Sequence, residues 1–321
     1  MLRTFPTAYP DELLFSVLAR YHVRSGNSSF KQSVIELFDY TPQSLYWLTL
    51  PNNLRTLSRK LYPIANQITE NLIEDHTLFP FYRNFLTPIE ASLLRDSMVN
   101  KAGKPVVQLA KISMAEPNQS KQLLKFCPAC FENDISRYGE AYWHRTHQIP
   151  GILVCLEHKT LLHESLVSFQ DGYLSGAASS PENYLSGDVQ VTCQECISQK
   201  LIEIAKEINE LCNTQVGFRG FRWLREQYQH RLAEQDIISN FRSKKVELHA
   251  EKLENAILAF YGWDCLNLVK PGLADRLGRY CLRCLLACDV EPTIDRVTHV
   301  LLIKFLFGSV SNYLEASQAT A

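Results

Sequence analysis

The sequence predicts a mainly α-helical protein with a small α+β module in its middle. Three observations carry this. Apolar residues recur at helical spacing in both terminal thirds of the chain. The middle abandons that period and gathers cysteines, histidines, glycines and short β-prone runs such as Ile152-Leu153-Val154. Within that middle, Cys and His fall in closely spaced pairs, the pattern of a metal-stapled module. The expected organisation is a helical, helix-turn-helix-containing region over 1–125, a Cys/His-rich, ribbon-like α+β module over 126–200 and a helical C-terminal region over 201–321.

In the first region, DELLFSVLARYHV (11–23) places Leu14, Val17, Leu18 and Tyr21 on one helical face. Pro10 precedes it, and Asp11 with Glu12 suits a helix N-terminus. Ser25-Gly26-Asn27 stops it. SSFKQSVIELF follows, with Phe30, Val34, Leu37 and Phe38 on one face and Ser28 or Ser29 as N-cap. Two short helices joined by a tight glycine turn fit a helix-turn-helix, and equally an αα-hairpin. Further helical stretches are expected at 52–61, 65–75 and 88–99, with 100–122 as connector. The block His76–Tyr82 is apolar and reads as core, with Pro80 ending any helix there. Helical period returns at KLIEIAKEINEL from 201, at 246–260 and at 293–307.

A chain of 321 residues is long enough for two or three compact units. Its 46% hydrophobic and 21% charged residues are an ordinary globular balance, so a sizeable core can be buried. No run approaches the roughly 18–20 uncharged apolar residues of a membrane helix. The start, MLRTFPTAYPDELL, lacks a signal peptide's apolar stretch, so a cytoplasmic chain with no membrane partner is expected. Net charge is only −1, but residues 1–126 carry 14 Lys+Arg against 10 Asp+Glu, a mildly basic third that permits nucleic-acid contact without requiring it.

Ten cysteines in a chain read as cytoplasmic point to metal rather than disulfides. FCPAC supplies Cys127-x2-Cys130 and VCLEH supplies Cys155-x2-His158. Each pair makes a tight knuckle, and three thiolates with one imidazole are a common tetrahedral set for structural zinc. One Zn2+ is therefore expected here. Cys193-x2-Cys196 and Cys281-x2-Cys284 are candidates for a second, four-thiolate site. The latter pair lies in RYCLRCLLAC, an apolar context where Cys is commonly a small core residue. Cys212, Cys265 and Cys288 read as core.

No catalytic signature accompanies this. There is no Gly-x4-Gly-Lys-Ser/Thr phosphate loop, no Gly-x-Ser-x-Gly elbow and no paired-carboxylate pattern. A metal-bound cysteine is not a free nucleophile, and His144 and Arg145 are expected to pack or hydrogen-bond across the module. The reading is not an enzyme.

FPTAYPDELLFSVLARYHVRSG, EDHTLFPFYRNF (74–85) and FCPAC…RYGEAYWHRTHQIPGILVCLEHKTLL together resemble the TniQ/TnsD family of bacterial transposition proteins. AFYGWDCLNLV and LLIKFLFGSVSNYL look like its TnsD-type continuation. Longer members extend well past LEASQATA, so the chain reads as a short member or as part of a longer one. The resemblance implies a non-catalytic target-site selector. It would bind double-stranded target DNA, or dock on an RNA-guided CRISPR effector complex, and recruit the AAA+ ATPase TnsC; a homo-oligomer is admitted. It also implies Cys127, Cys130, Cys155 and His158 as zinc ligands. The DNA-contact candidates are Arg20, Arg24, Ser28, Ser29, Lys31, Gln32, Arg55, Arg59 and Lys60. A helix pair that packs on a protein partner is the other reading of 11–38. The alternative function is a zinc-containing helix-turn-helix transcription regulator.

Overall fold

The computed structural model describes residues 2, 4–41, 45–62, 69–101, 105–112, 123–168, 195–214, 217–239, 247–277 and 296–319. The fold is mainly helical. Contacts divide it into two compact units, one of Met1–Arg83, Ile89–Ile149 and Val154–Thr192, the other of Asn84–Pro88, Pro150–Leu153 and Cys193–Ala321.

The first unit opens with α1 (Leu14–Ser25), α2 (Phe30–Phe38), α3 (Leu54–Leu61), α4 (Thr69–His76) and α5 (Phe79–Arg83). Gly26 ends α1 in the left-handed region at φ 73°, where a side chain would be strained. Ser29 caps α2, its hydroxyl accepting from the Gln32 N–H at 3.2 Å. Asn53 ties the α3 entry to α2 by donating to the Phe38 carbonyl at 2.6 Å. Phe15 and Phe30 meet edge to face across α1 and α2, and Phe38 meets Trp47 likewise. Leu54, Leu57 and Leu61 turn inward from α3.

Two local expectations are corrected. The first helix starts at Leu14, not Asp11, because Asp11 and Glu12 are drawn into contacts elsewhere in this unit. Pro80 does not end a helix but stands in the opening turn of α5, where its missing N–H has no helical acceptor to lose. Its block is core, with Leu78, Phe79 and Phe81 buried.

After α6 (Pro88–Val99) and the short α7 (Val106–Leu109), strand β1 (Leu123–Phe126) precedes α8 (Pro128–Tyr138). β1 pairs antiparallel with β2 (His163–Ser168), Lys125 facing Glu164 and Phe126 facing His163.

The second unit holds α9 (Glu195–Asn213), α10 (Phe221–Glu234), a two-residue ladder of β3 (Ile238–Ser239) and β4 (Glu247–Leu248), then α11 (Ala250–Tyr261), α12 (Trp263–Val269), α13 (Arg296–Phe307) and α14 (Val310–Ala319). α13 is buried almost all round and serves as the central helix of this unit. Tyr261 donates to the Leu301 carbonyl at 2.7 Å, and Lys304 pairs with Glu207 at 3.2 Å. Buried His299 lies among the rings of Phe85, Phe221 and Tyr228, and burial pulls its pKa down to about 3. α10 was not anticipated: only Leu224, Tyr228 and Leu232 bury a ridge on it. Among the described residues no single helix is long and apolar enough to cross a membrane; α13 with α14 passes only as a pair bent by 81°.

Candidate metal centre

The first ligand pair is set by the start of α8. Cys127 occupies the N-cap position and Pro128 the first helical position, so the chain turns sharply between strand and helix and brings Cys130 round beside Cys127. The second pair sits on a closed knuckle. Val154 and Leu161 bridge its ends, the Cys155 N–H donates to the Thr160 carbonyl at 2.8 Å, and the Lys159 N–H donates to the Cys155 carbonyl at 2.8 Å. Lys159 takes the left-handed turn, at φ 58°.

The four donor atoms converge within 4.8 Å of one another. His158 Nδ1 lies 3.6 Å from Cys127 Sγ, 3.3 Å from Cys130 Sγ and 3.5 Å from Cys155 Sγ, and Cys130 Sγ is 3.6 Å from Cys155 Sγ. Bond lengths of about 2.3 Å to sulfur and about 2.0 Å to nitrogen in a tetrahedron put such donors roughly 3.5–3.8 Å apart. The group can therefore hold a metal ion, and its donor set is compatible with zinc. All three cysteines are buried and reduced. Hydrogen bonds from Cys130 and Cys155 hold the Cys127 thiol far below its ordinary pKa, while the same contacts raise those of Cys130 and Cys155. Three thiols thus crowd one spot and compete for one negative charge, a conflict that a cation resolves.

Outer contacts orient the ligands. Thr160 Oγ1 stands 3.4 Å from Cys127 Sγ, and the His158 N–H donates to Cys155 Sγ at 3.4 Å. His158 Nε2 lies 3.1 Å from the Asn133 side-chain amide, which leaves Nδ1 turned to the thiols. Gln148 fastens a 3₁₀ turn (Thr146–Gln148) to β1, donating to the Lys125 carbonyl at 2.7 Å and accepting from the Lys125 N–H at 2.9 Å. His144 Nε2 is 2.8 Å from Asp134 of α8. His147 is buried beside it, its pKa pulled down to about 3 by burial first.

This module is clamped to α1 by residues that sequence reasoning assigned elsewhere. The Arg145 N–H donates to the Asp11 carbonyl at 2.6 Å, the Thr146 N–H to the Asp11 carboxylate at 3.1 Å, and the Leu13 N–H to the Trp143 carbonyl at 2.9 Å. Glu140 accepts from Tyr9 and Arg20, both at 2.9 Å, and from Arg24. Nothing local marks Asp11, Glu12 or Glu140 for this work; acids before a helix read as ordinary N-terminal acids.

The DNA-contact candidates fall in different places. Arg20 is buried, 6% exposed, between Glu12 and Glu140. Arg24 pairs with Glu140, and Lys60 with Asp39. Gln32 Oε1 accepts from the Ser28 N–H and hydroxyl, so Ser28, Ser29 and Gln32 close the first turn of α2 on one another. Lys31, Arg55 and Arg59 are exposed. Of the further cysteines, Cys193, Cys281, Cys284 and Cys288 lie outside the described residues, as does the side chain of Cys196 in α9. Cys212 and Cys265 are buried.

Fold and site together define a helical protein whose N-terminal helices are clamped to a Cys3His metal-ligand cluster. Residues 3–162, which include all four converging donors, match the TniQ family model. Over 164 residues the chain is 30% identical to the transposon Tn7 transposition protein TnsD of Escherichia coli, an alignment covering 50% of this chain and 31% of that protein. The chain belongs to the TniQ/TnsD family.

Proposed function

We propose that the chain is a non-catalytic target-site selector in DNA transposition. It binds double-stranded target DNA, or docks on an RNA-guided CRISPR effector complex, and recruits the AAA+ ATPase TnsC. The observation that carries this reading is the coincidence of three things in residues 3–162: the TniQ match, the converging Cys3His donors and the helices clamped to them. TnsD is itself a transposition protein.

The proposed ion is a single Zn2+ held by Cys127, Cys130, Cys155 and His158. A closed four-ligand site leaves no position for water, so the ion supplies cross-linking rather than hydrolysis. The chain's own residues then hold the knuckle, α8 and the start of α1 in one arrangement. A cytoplasmic site of action follows, where chromosomal targets lie.

The test is binding of the full chain to TnsC and to double-stranded DNA, together and apart. Recruitment of TnsC to DNA by the chain is the expected result. DNA binding with no retention of TnsC would favour the zinc-containing helix-turn-helix transcription regulator instead.

A further inference from the structure

Seven cations of the first unit have a carboxylate partner among the described residues. Arg20 and Arg24 share Glu140, Arg83 and Arg95 share Glu74, Lys60 takes Asp39, Lys111 takes Glu90 and Arg145 takes Asp11. Against that background α3 stands out. It carries no acid at all. Leu54, Leu57 and Leu61 bury its inner face, while Arg55 and Arg59 project to solvent one turn apart with no charge partner among the described residues. Tyr62, at the C-terminal end of the same ridge, is 79% exposed.

α2, at whose start the DNA-contact candidates Ser28, Ser29, Lys31 and Gln32 lie, offers less. Its exposed positions carry one cation, Lys31, and one acid, Glu36, leaving no net positive charge, and Asp39 follows at its end. Its N-terminal polar groups are turned on one another, Ser29 with Gln32, Ser28 with Gln32 and Asn27 with Glu36.

We propose that α3, rather than α2, is the helix this protein lays against double-stranded DNA, with Arg55 and Arg59 on backbone phosphates and the Tyr62 hydroxyl continuing the same row. This rests on the DNA-binding part of the function proposed above. Guanidinium groups are suited to phosphate oxygens, and contacts of this kind set orientation rather than sequence. Duplex DNA is favoured over duplex RNA because a helix fits the B-form major groove of about 12 Å but not the deep, narrow A-form groove.

The experiment measures affinity of the full chain for a mixed-sequence DNA duplex between about 50 and 200 mM salt. Arg55→Gln with Arg59→Gln should lower the log–log salt slope by about 1.8, from two lost phosphate contacts. Arg55→Lys with Arg59→Lys should keep the slope, and Lys31→Gln should leave it unchanged. Circular dichroism and melting of each variant report folding separately. If the Gln pair keeps the slope, or if Lys31→Gln lowers it instead, the assignment to α3 is wrong while DNA binding stands. Stronger binding to an RNA duplex of the same sequence also overturns it. A wild-type chain that binds no DNA removes this inference together with the DNA part of the proposed function.

Discussion

Arg20 donates to Glu12 across 2.8 Å with both side chains buried, inside the joint between α1 and the metal-ligand module. Glu12 also accepts from the Tyr9 N–H and the Ser16 hydroxyl at 2.8 Å each, and the Arg20 guanidinium lies 3.8 Å from the centre of the Tyr9 ring. Burial still raises the Glu12 pKa, so desolvation outweighs its partners. Removing one member of a buried pair strands the other. Arg20→Ala and Glu12→Ala should each cost about 3–5 kcal/mol, and the double variant should cost clearly less than their sum. Urea unfolding of the four proteins measures this; simple additivity would mean that the pair is not coupled.

The metal centre predicts a stoichiometric loss. Cys127→Ser and Cys155→Ser should each release one metal equivalent relative to the unaltered chain, and a chelator should lower the melting temperature as those variants do. Cys212→Ser and Cys265→Ser, at buried thiols outside the cluster, should keep full metal content. Metal retained at full occupancy in Cys127→Ser would rule the site out.

Acid should weaken the second unit through His299. Its folded pKa of about 3 lies below the ordinary 6.5, so between these values the unfolded chain binds a proton that the folded chain refuses. The group's stability is fully present above about pH 6.5 and falls as pH drops, at up to about 1.4 kcal/mol per pH unit, levelling near pH 3. Unfolding free energies between pH 6.5 and 4.5 should show this slope, and His299→Gln should flatten it. His147 acts with the same sign in the first unit.

Two glycines with similar backbones should respond differently to alanine. Gly151 has φ +85°, and an added Cβ would meet Ile208 Cδ1 at 2.8 Å and Val297 Cγ1 at 3.0 Å. Gly139, the C-cap of α8 at φ +81°, has open space around it. Gly139→Ala should cost about 1 kcal/mol of left-handed strain, and Gly151→Ala about 1–3 kcal/mol more from crowding as well. Thermal melts of the two variants give the comparison.

The mainly helical class and the Cys127, Cys130, Cys155 and His158 constellation were legible without a structure. Both are local regularities: a 3.6-residue period of apolar residues, and ligands three apart on tight turns. The TniQ resemblance was legible for the same reason, since its aromatic and Cys/His blocks stand in order along the chain. What stayed hidden depends on residues far apart in sequence. Asp11 and Glu12 look like helix-start acids until residues 142–146 fold against them. Arg20 reads as a surface cation until Glu140 arrives 120 positions later. Pro80 reads as a stop until the chain places it in a first turn. Sequence alone determined the mainly helical class and which Cys and His donors converge, because propensity and short loops act over a few residues. Tertiary structure alone decided which charges are already neutralised, because that depends on what packs beside each one, and so left Arg55 and Arg59 exposed and without a charge partner among the described residues.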